Sequence, residues 1–514
     1  MAEKVKKKIL LNPTIISKIH NRLSKLQNYI LNTKIKVFYS SVIYIVILLT
    51  FLYLLSSIIL FYNRECAEKK DFQQLHDTKP IYWIFSKSKD ESHLKHVIMI
   101  LERLGFRRGD NNSHWDLLWA HDYPFKILAN SLKYLREYQK VNHIPGCGFI
   151  TNKVDLSTTN IQYLPASFRI PQDEKNFYDY IGKNPYKLFV EKSNFHRGIS
   201  IKNVENIKFN NNENFIQEFI ERPYLIDGYK FDVGIYTVIT SIDPLRVYVY
   251  KGDVLFRFCS HKYYPFNPDD LDKYIVGDDY LPIWNVSSLK QYYVDMGFSM
   301  KDTFDAYVRS RNEDPNKVWD SAYQAIKLVA SKKEKQIADT IRHLNNTMNF
   351  FELVRFDFII DEDLNVFLME ANMSPNLSSA HYPENRLLYE QVLFNLFALI
   401  GIGQRIDPAF RRQSSWRDRA VEVSDKNLVV FPEICSTCTD CIRFECQLCK
   451  FCFTDELRLI LIQSYVEHQN KMDYKRIFPP NNMQVMQLNN YTLKNQLLMK
   501  WYQGKCAVDP SWCE

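Results

Sequence analysis

Glycine is scarce in this chain: 14 Gly among 514 residues leave little material for flexible linkers. No low-complexity run interrupts the body and no internal repeat is visible. The phosphate-binding pattern GxxxxGK(S/T) is absent, which excludes a P-loop nucleotidase. A GxSxG elbow is also absent, and with it the usual nucleophilic serine of an α/β-hydrolase. An excess of charge of one sign is missing from most of the chain. The net charge is +7, but residues 1–36 carry nine basic residues (Lys4, Lys6, Lys7, Lys8, Lys18, Arg22, Lys25, Lys34, Lys36) against Glu3 alone, which leaves the remaining 478 residues at −1. The body is therefore near neutral, and no nucleic-acid partner is expected from charge.

What is present is an ordinary globular composition, 46% apolar and 24% charged, in a chain long enough for two or three domains. One long apolar run stands out. Residues 37–62 contain no charge, and about 20 residues suffice to cross a bilayer as a helix. Tyr39, Tyr44, Tyr53 and Tyr62 include positions suited to the membrane interfaces. A cleavable signal peptide has a shorter apolar core. The expectation is a basic cytosolic tail over 1–36 and a single transmembrane helix over 37–62. The positive-inside rule then puts the N-terminus in the cytosol and residues 63–514 on the luminal or exterior side.

Beyond the anchor, Ile81-Tyr82-Trp83-Ile84-Phe85 reads as a strand, followed by an amphipathic helix around 92–104 with Leu94, Val97, Ile98 and Leu101 on one face. This suggests an N-terminal α/β subdomain over 75–135. Residues 185–260 hold short β-type runs separated by turn signals such as Asp227-Gly228, Asp243-Pro244 and Gly252-Asp253. Residues 315–345 read as helix, 350–372 as a hairpin and 384–401 as an apolar helix. The fold class expected is α/β, a mixed α+β core with antiparallel sheet, followed by a separate Cys-rich tail over 432–514.

The hairpin is the most informative stretch. Two apolar runs flank Asp361-Glu362-Asp363, so Asp357 falls opposite Glu370. Glu370 and Asn372 are two residues apart and share a face. Three oxygen ligands thus converge, and with no basic neighbour in view their mutual repulsion calls for a cation such as Mg²⁺. Spacing alone fits equally well with outward polar residues on a half-exposed strand. Upstream, Lys192 ends a strand-like run and Gly198 follows six residues later, a pairing able to meet phosphate but more commonly a solvated lysine. Arg257 offers a guanidinium suited to carboxylate or phosphate, or a surface charge at a strand end.

The run FDFIIDEDLNVFLMEANMSP, 356–375, resembles the C-terminal signature of the tubulin tyrosine ligase-like family, an ATP-grasp fold. QKVNHIPG at 139–146, the run from Lys153 to Leu156, LPASFRIP at 164–171 and FIQEFIERPYLIDGYKFD at 215–232 extend the resemblance over about 135–400. It implies a ligase domain over 136–405 in which Asp357, Glu370 and Asn372 hold Mg²⁺. Lys192, Arg197 and Gly198 would hold the phosphates of ATP. Gln217, Glu218, Phe219 and Ile220 would line the adenine pocket, and Lys230, Phe231 and Asp232 would complete it. Arg257, with Lys192, would serve the reacting groups.

The implied activity is ATP-dependent addition of free glutamate to a protein carboxylate through an acyl phosphate, the acceptor being a tubulin C-terminal tail. The chain departs from the family pattern at four places. The phosphate loop is shorter and lacks a Pro and a second Gly. Gly234 stands where an Arg is usual. Residues 274–284 replace a His-Leu-Thr-Asn-Tyr-Ser segment, and a late Lys is missing near Arg386. Most of these features serve the incoming amino acid and the acceptor. A TTL-like membrane protein that only binds ATP or a partner, and a ligase for a luminal acceptor other than tubulin, therefore stay open.

Six cysteines, at 435, 438, 441, 446, 449 and 452, precede Cys506 and Cys513. The gaps are shorter than in zinc ribbons and miss the ferredoxin spacing. Eight is an even number, and a body on the luminal side favours disulfides over metal. Asn111, Asn285, Asn345, Asn372, Asn376 and Asn490 begin N-x-S/T sequons, a weak sign of the same placement.

Overall fold

The computed structural model describes residues 13–75, 79–193, 199–207, 209, 214–344, 346–403, 422–480 and 491–513. It divides into two compact units, 1–76 and 77–514.

The described residues of the first unit form one helix, α1 (Pro13–Leu75). Within it Ile43–Tyr62 is a 20-residue stretch of mean hydropathy 2.6 in which no residue is buried. That stretch is long and apolar enough to cross a membrane. It lies inside the run expected at 37–62, in a helix longer at both ends than the apolar segment requires.

The second unit begins with a parallel sheet: β1 (Ile81–Phe85), β2 (Arg107–Arg108), β3 (Leu117–Ala120) and β4 (Lys140–Val141), ordered β2-β1-β3-β4. Helix α2 (Lys95–Arg103) crosses between β1 and β2, burying Val97, Ile100 and Leu101. The strand at 81–85 and the helix within 92–104 stand where the sequence pattern puts them, and β4 carries the sheet past residue 135.

A second, antiparallel sheet has the order β5-β8-β6-β7, from β5 (Ser167–Arg169), β6 (Phe189–Ser193), β7 (Ser200–Lys202) and β8 (Asn214–Glu218). One face packs Phe168, Phe189 and Ile216 against Phe177 of the helix Glu174–Ile181. Alternation sends Val190, Lys192, Phe215 and Gln217 to the other face.

The central sheet is built on β9 (Phe231–Ile242). β10 (Leu245–Tyr250) and β11 (Leu255–Phe258) both pair with one edge of β9, and β12 (Leu281–Pro282) extends β11. The hairpin of β13 (Glu352–Ile360) and β14 (Val366–Met373) lies on the other edge, where β13 pairs with β9. Every residue of β13 is buried, as expected for a strand covered on both faces. Helices α3 (Asn316–Ile341) and α4 (Arg386–Leu399) contribute to the same core.

Residues 432–514 are not the separate tail expected from their cysteines. β15 (Tyr474–Phe478) pairs antiparallel with β10 and closes the edge of the central sheet. Its partner is more than 200 residues away, and no local pattern announces that pairing. Helices α5 (Asp455–Gln469) and α6 (Leu493–Val508) form their own apolar cluster around Leu461, Leu498, Trp501 and Trp512. Arg246 of β10, 0% exposed, donates to both carboxylate oxygens of Glu467 on α5, which also accepts from Thr240 and Tyr248. Four disulfides, Cys435–Cys449, Cys438–Cys446, Cys441–Cys452 and Cys506–Cys513, staple the segment, while Cys147 and Cys259 are free and buried.

Candidate active site

Size alone does not locate a site. A cavity of about 540 Å³ is rimmed by Glu137, Glu422, Asp455, Glu456 and Glu467, a poor host for anions. A smaller one, about 180 Å³, lies between the small antiparallel sheet and the central sheet and collects Lys153, Lys192, Lys230, Arg257, Asp232, Asp357 and Glu370. Most of the remaining wall is apolar, with Val190, Phe215, Phe219, Ile220, Ile359 and Met369, and it also holds Glu218 and Tyr274.

The carboxylates stand where the hairpin register sets them. Asp357 lies opposite Glu370 on β14 and opposite Gly234 on β9. Asn372 Nδ2 donates to Asp357 Oδ2 at 2.9 Å and to Glu370 Oε1 at 3.0 Å. Lys153 Nζ lies 3.5 Å from Glu370 Oε2. Burial acts to raise the Glu370 carboxyl, but Lys153, Asn372 and the contact with Asp357 hold it down at about 2. Burial outweighs the guanidinium groups at Asp357 and lifts that carboxyl to about 6. Two adjoining carboxyls driven apart in this way titrate as a pair. The donor set is two carboxylates and an amide, all capable of offering hard oxygen once the Asn372 amide turns by half a rotation. These residues fit Mg²⁺.

The expectation that no base adjoins the carboxylates is wrong. Arg355, on the same face of β13 as Asp357 and 6% exposed, donates through Nε to Asp357 Oδ1 at 2.7 Å and through a terminal nitrogen to Oδ2 at 2.8 Å. Arg257 donates to Asp357 Oδ2 at 2.9 Å and holds Asp232 bidentately at 2.9 and 2.8 Å. Its carboxylate partners raise the Arg257 pKa further, against the effect of burial. The side chain of Arg355 occupies the space that a residue at 234 would need: a Cβ on Gly234 would meet its Cδ at 2.8 Å.

Lys192 Nζ donates to Gln217 Oε1 at 2.7 Å, and Gln217 is fully buried. Burial pushes Lys192 down to about 8, with Lys153 and Lys230 adding to the shift and Glu370 opposing it. Lys230 is also lowered by burial, and donates to the carbonyl oxygen of Tyr274 at 2.6 Å. Glu218, Phe219 and Ile220 line the cavity, and the Glu218 carboxylate is bound by Tyr180 and Lys187. Phe231, expected in the nucleotide site, faces the other way and packs on Phe256, Phe258 and Phe304; alternation along β9 turns it away from Lys230 and Asp232. Arg197 and Gly198 lie outside the described residues. Lys153, Arg355, Tyr274, Ile275 and Met369 are site residues that sequence reasoning passed over. Arg355 had a usable signal in its position two residues before Asp357.

Residues 130–410 match the family model described as the Tubulin-tyrosine ligase family. A Caenorhabditis elegans protein named "Probable tubulin polyglutamylase ttll-15" is 39% identical over 471 residues, covering 88% of this chain and 90% of its own length. The mouse "Tubulin polyglutamylase TTLL6" is 28% identical over 329 residues, 59% of this chain and 38% of that protein. The human "Tubulin monoglutamylase TTLL4" is 26% identical over 331 residues, 59% of this chain and 26% of its own.

Proposed function

Since the chain belongs to the tubulin-tyrosine ligase family, we propose that it is an ATP-dependent ligase adding glutamate to the side-chain carboxylate of a tubulin tail. The three relatives above are named as tubulin glutamylases. The observation that supports the reading most is the convergence of Asp357, Glu370 and Asn372 with Lys192, Lys230 and Arg257 around one cavity, in a mixed fold that fits an ATP-grasp architecture. Bound ATP and Mg²⁺ would supply the phosphoryl group and its charge neutralisation. The acceptor carboxylate would take the γ-phosphoryl group of ATP, releasing ADP, to give an acyl phosphate; the glutamate amine would attack its carbonyl carbon, and phosphate would leave, with loss of a proton from the amine, as the amide forms. The protein's share is positioning and electrostatics. Asp357, Glu370 and Asn372 would hold the metal. Lys192 and Lys230 would meet phosphate oxygens, and Phe219, Ile220 and Met369 would pack the base. Arg257 would orient the reacting carboxylate. Full-length protein given ATP, Mg²⁺, labelled glutamate and tubulin is expected to label the tubulin tails; nucleotide binding without any incorporation would sink ligation.

Ile43–Tyr62 would anchor the enzyme, and a tubulin acceptor would require the ligase domain over 136–405 on the cytosolic side, opposite to the side that cytosolic placement of the basic residues 1–36 by the positive-inside rule gives it. A second reading is supported by the four disulfides, which persist in oxidising compartments. It keeps the chemistry but moves the body across the membrane, and the acceptor becomes a luminal protein. Endoglycosidase treatment of the protein from cells separates the two: a mobility shift rejects a cytosolic body.

A further inference from the structure

We propose that Arg355 is a positioning residue of the metal-binding carboxylates, admitted to the site by Gly234, and that it meters how tightly the site holds its divalent cation. The inference rests on the cavity being a metal–nucleotide site.

Gly234 has no backbone reason to be glycine. It lies in the middle of a regular strand paired on both sides, outside the left-handed region where glycine is needed. What it lacks is a side chain, and the missing volume is filled: an added Cβ would sit 2.8 Å from Arg355 Cδ, 3.1 Å from its Nε and 3.1 Å from Asp357 Oδ1. Strand β9 thus gives up a side chain so that β13 can fold a guanidinium over its own carboxylate.

The hydrogen-bond count at Asp357 shows what this does. A carboxylate offers about four lone-pair positions. Asp357 receives two donors from Arg355, one from Arg257 and one from Asn372, three of them on Oδ2 and one on Oδ1, so a cation reaching Oδ2 must displace a donor. Two of these donors can yield to a cation. Asn372 can turn its amide, and Arg257 already holds Asp232 bidentately. Arg355 is buried and grips both oxygens, so it is the fixed partner. It sets the carboxylate's orientation and leaves a permanent positive charge beside the cation's position. The orientation favours turnover, and the charge opposes metal binding.

These two effects have opposite signs, which provides the test. Mn²⁺ binding in the presence of a non-hydrolysable ATP analogue is measured on the full-length protein in detergent, alongside kcat. For Arg355→Gly the Mn²⁺ dissociation constant is expected to fall several-fold while kcat falls by about 10- to 100-fold. A purely structural lesion would weaken both. Arg355→Lys keeps the charge without the fork, and is expected to retain the wild-type Mn²⁺ affinity but not its kcat. Gly234→Ala, which displaces Arg355, should resemble Arg355→Gly. In the exchange Gly234→Arg with Arg355→Gly, a guanidinium returns to the same space from β9, and both quantities should recover to within a few-fold of wild type. Unchanged or weaker Mn²⁺ binding in Arg355→Gly, or no recovery in a folded exchange variant, would overturn the inference. Failure of the unsubstituted protein to bind Mn²⁺ with nucleotide would overturn the underlying site instead.

Discussion

Lys192 and Gln217 are joined across β6 and β8 by a 2.7 Å hydrogen bond from the ammonium group to the amide oxygen. The buried glutamine holds the lysine at the cavity wall without cancelling its charge, so the ammonium is available to an anion.

That arrangement predicts a pH dependence. Lys192 sits at about 8 because burial lowers it. Its charged form, which phosphate requires, is present below that value and lost above it. Affinity for an ATP analogue is expected to fall as pH rises from 7.5 to 9.5, the lowered Lys230 adding to the trend. Lys192→Arg, charged throughout, should flatten the curve, as calorimetric titration at each pH would reveal.

Glu370→Gln removes a charge from the proposed metal site while keeping its shape. Ligation should drop by more than about 100-fold, beyond the usual cost of losing a supporting partner, with an unchanged melting temperature. A variant retaining a tenth of the wild-type rate would remove Glu370 from the metal ligands.

Breaking the Arg246–Glu467 pair should destabilise the whole body. Both side chains are almost wholly buried, and removing one partner strands the other charge at a cost of about 3–5 kcal/mol. Glu467→Gln is expected to show this as a lower midpoint in chemical unfolding. The site lies elsewhere, so the folded variant's nucleotide affinity should not change.

Reduction should loosen the C-terminal segment. The Cys435–Cys449 bridge closes a 14-residue separation, worth about 3 kcal/mol by loop entropy. Cys435→Ser with Cys449→Ser is expected to lower the unfolding midpoint, and a reductant should have less effect on that variant than on the wild type.

Local pattern made much of this legible. The hairpin and the pairing of Asp357 with Glu370 followed from alternation and one polar turn, and the strands at 189–193 and 231–242 followed from β-branched and aromatic runs between turn signals. Long-range register was not legible. Gly234 read as a lost arginine, because nothing in a single sequence shows that residue 355, across a neighbouring strand, delivers a guanidinium to the same space. Phe231 was drawn into the site by its neighbours Lys230 and Asp232, although strand geometry opposes it to both. The cysteines drew attention to a tail and hid the strand at 474–478.

That last strand fixes when the enzyme can exist. The sheet carrying Asp357 keeps an open edge along Leu245–Tyr250 until Tyr474–Phe478 has been synthesised and paired. Residues through Phe478 must leave the ribosome before the body can close, and until then an unpaired hydrophobic strand is exposed to other chains. A transcript ending before residue 474 should therefore yield aggregate rather than a smaller ligase, so completion of the message becomes a condition for activity.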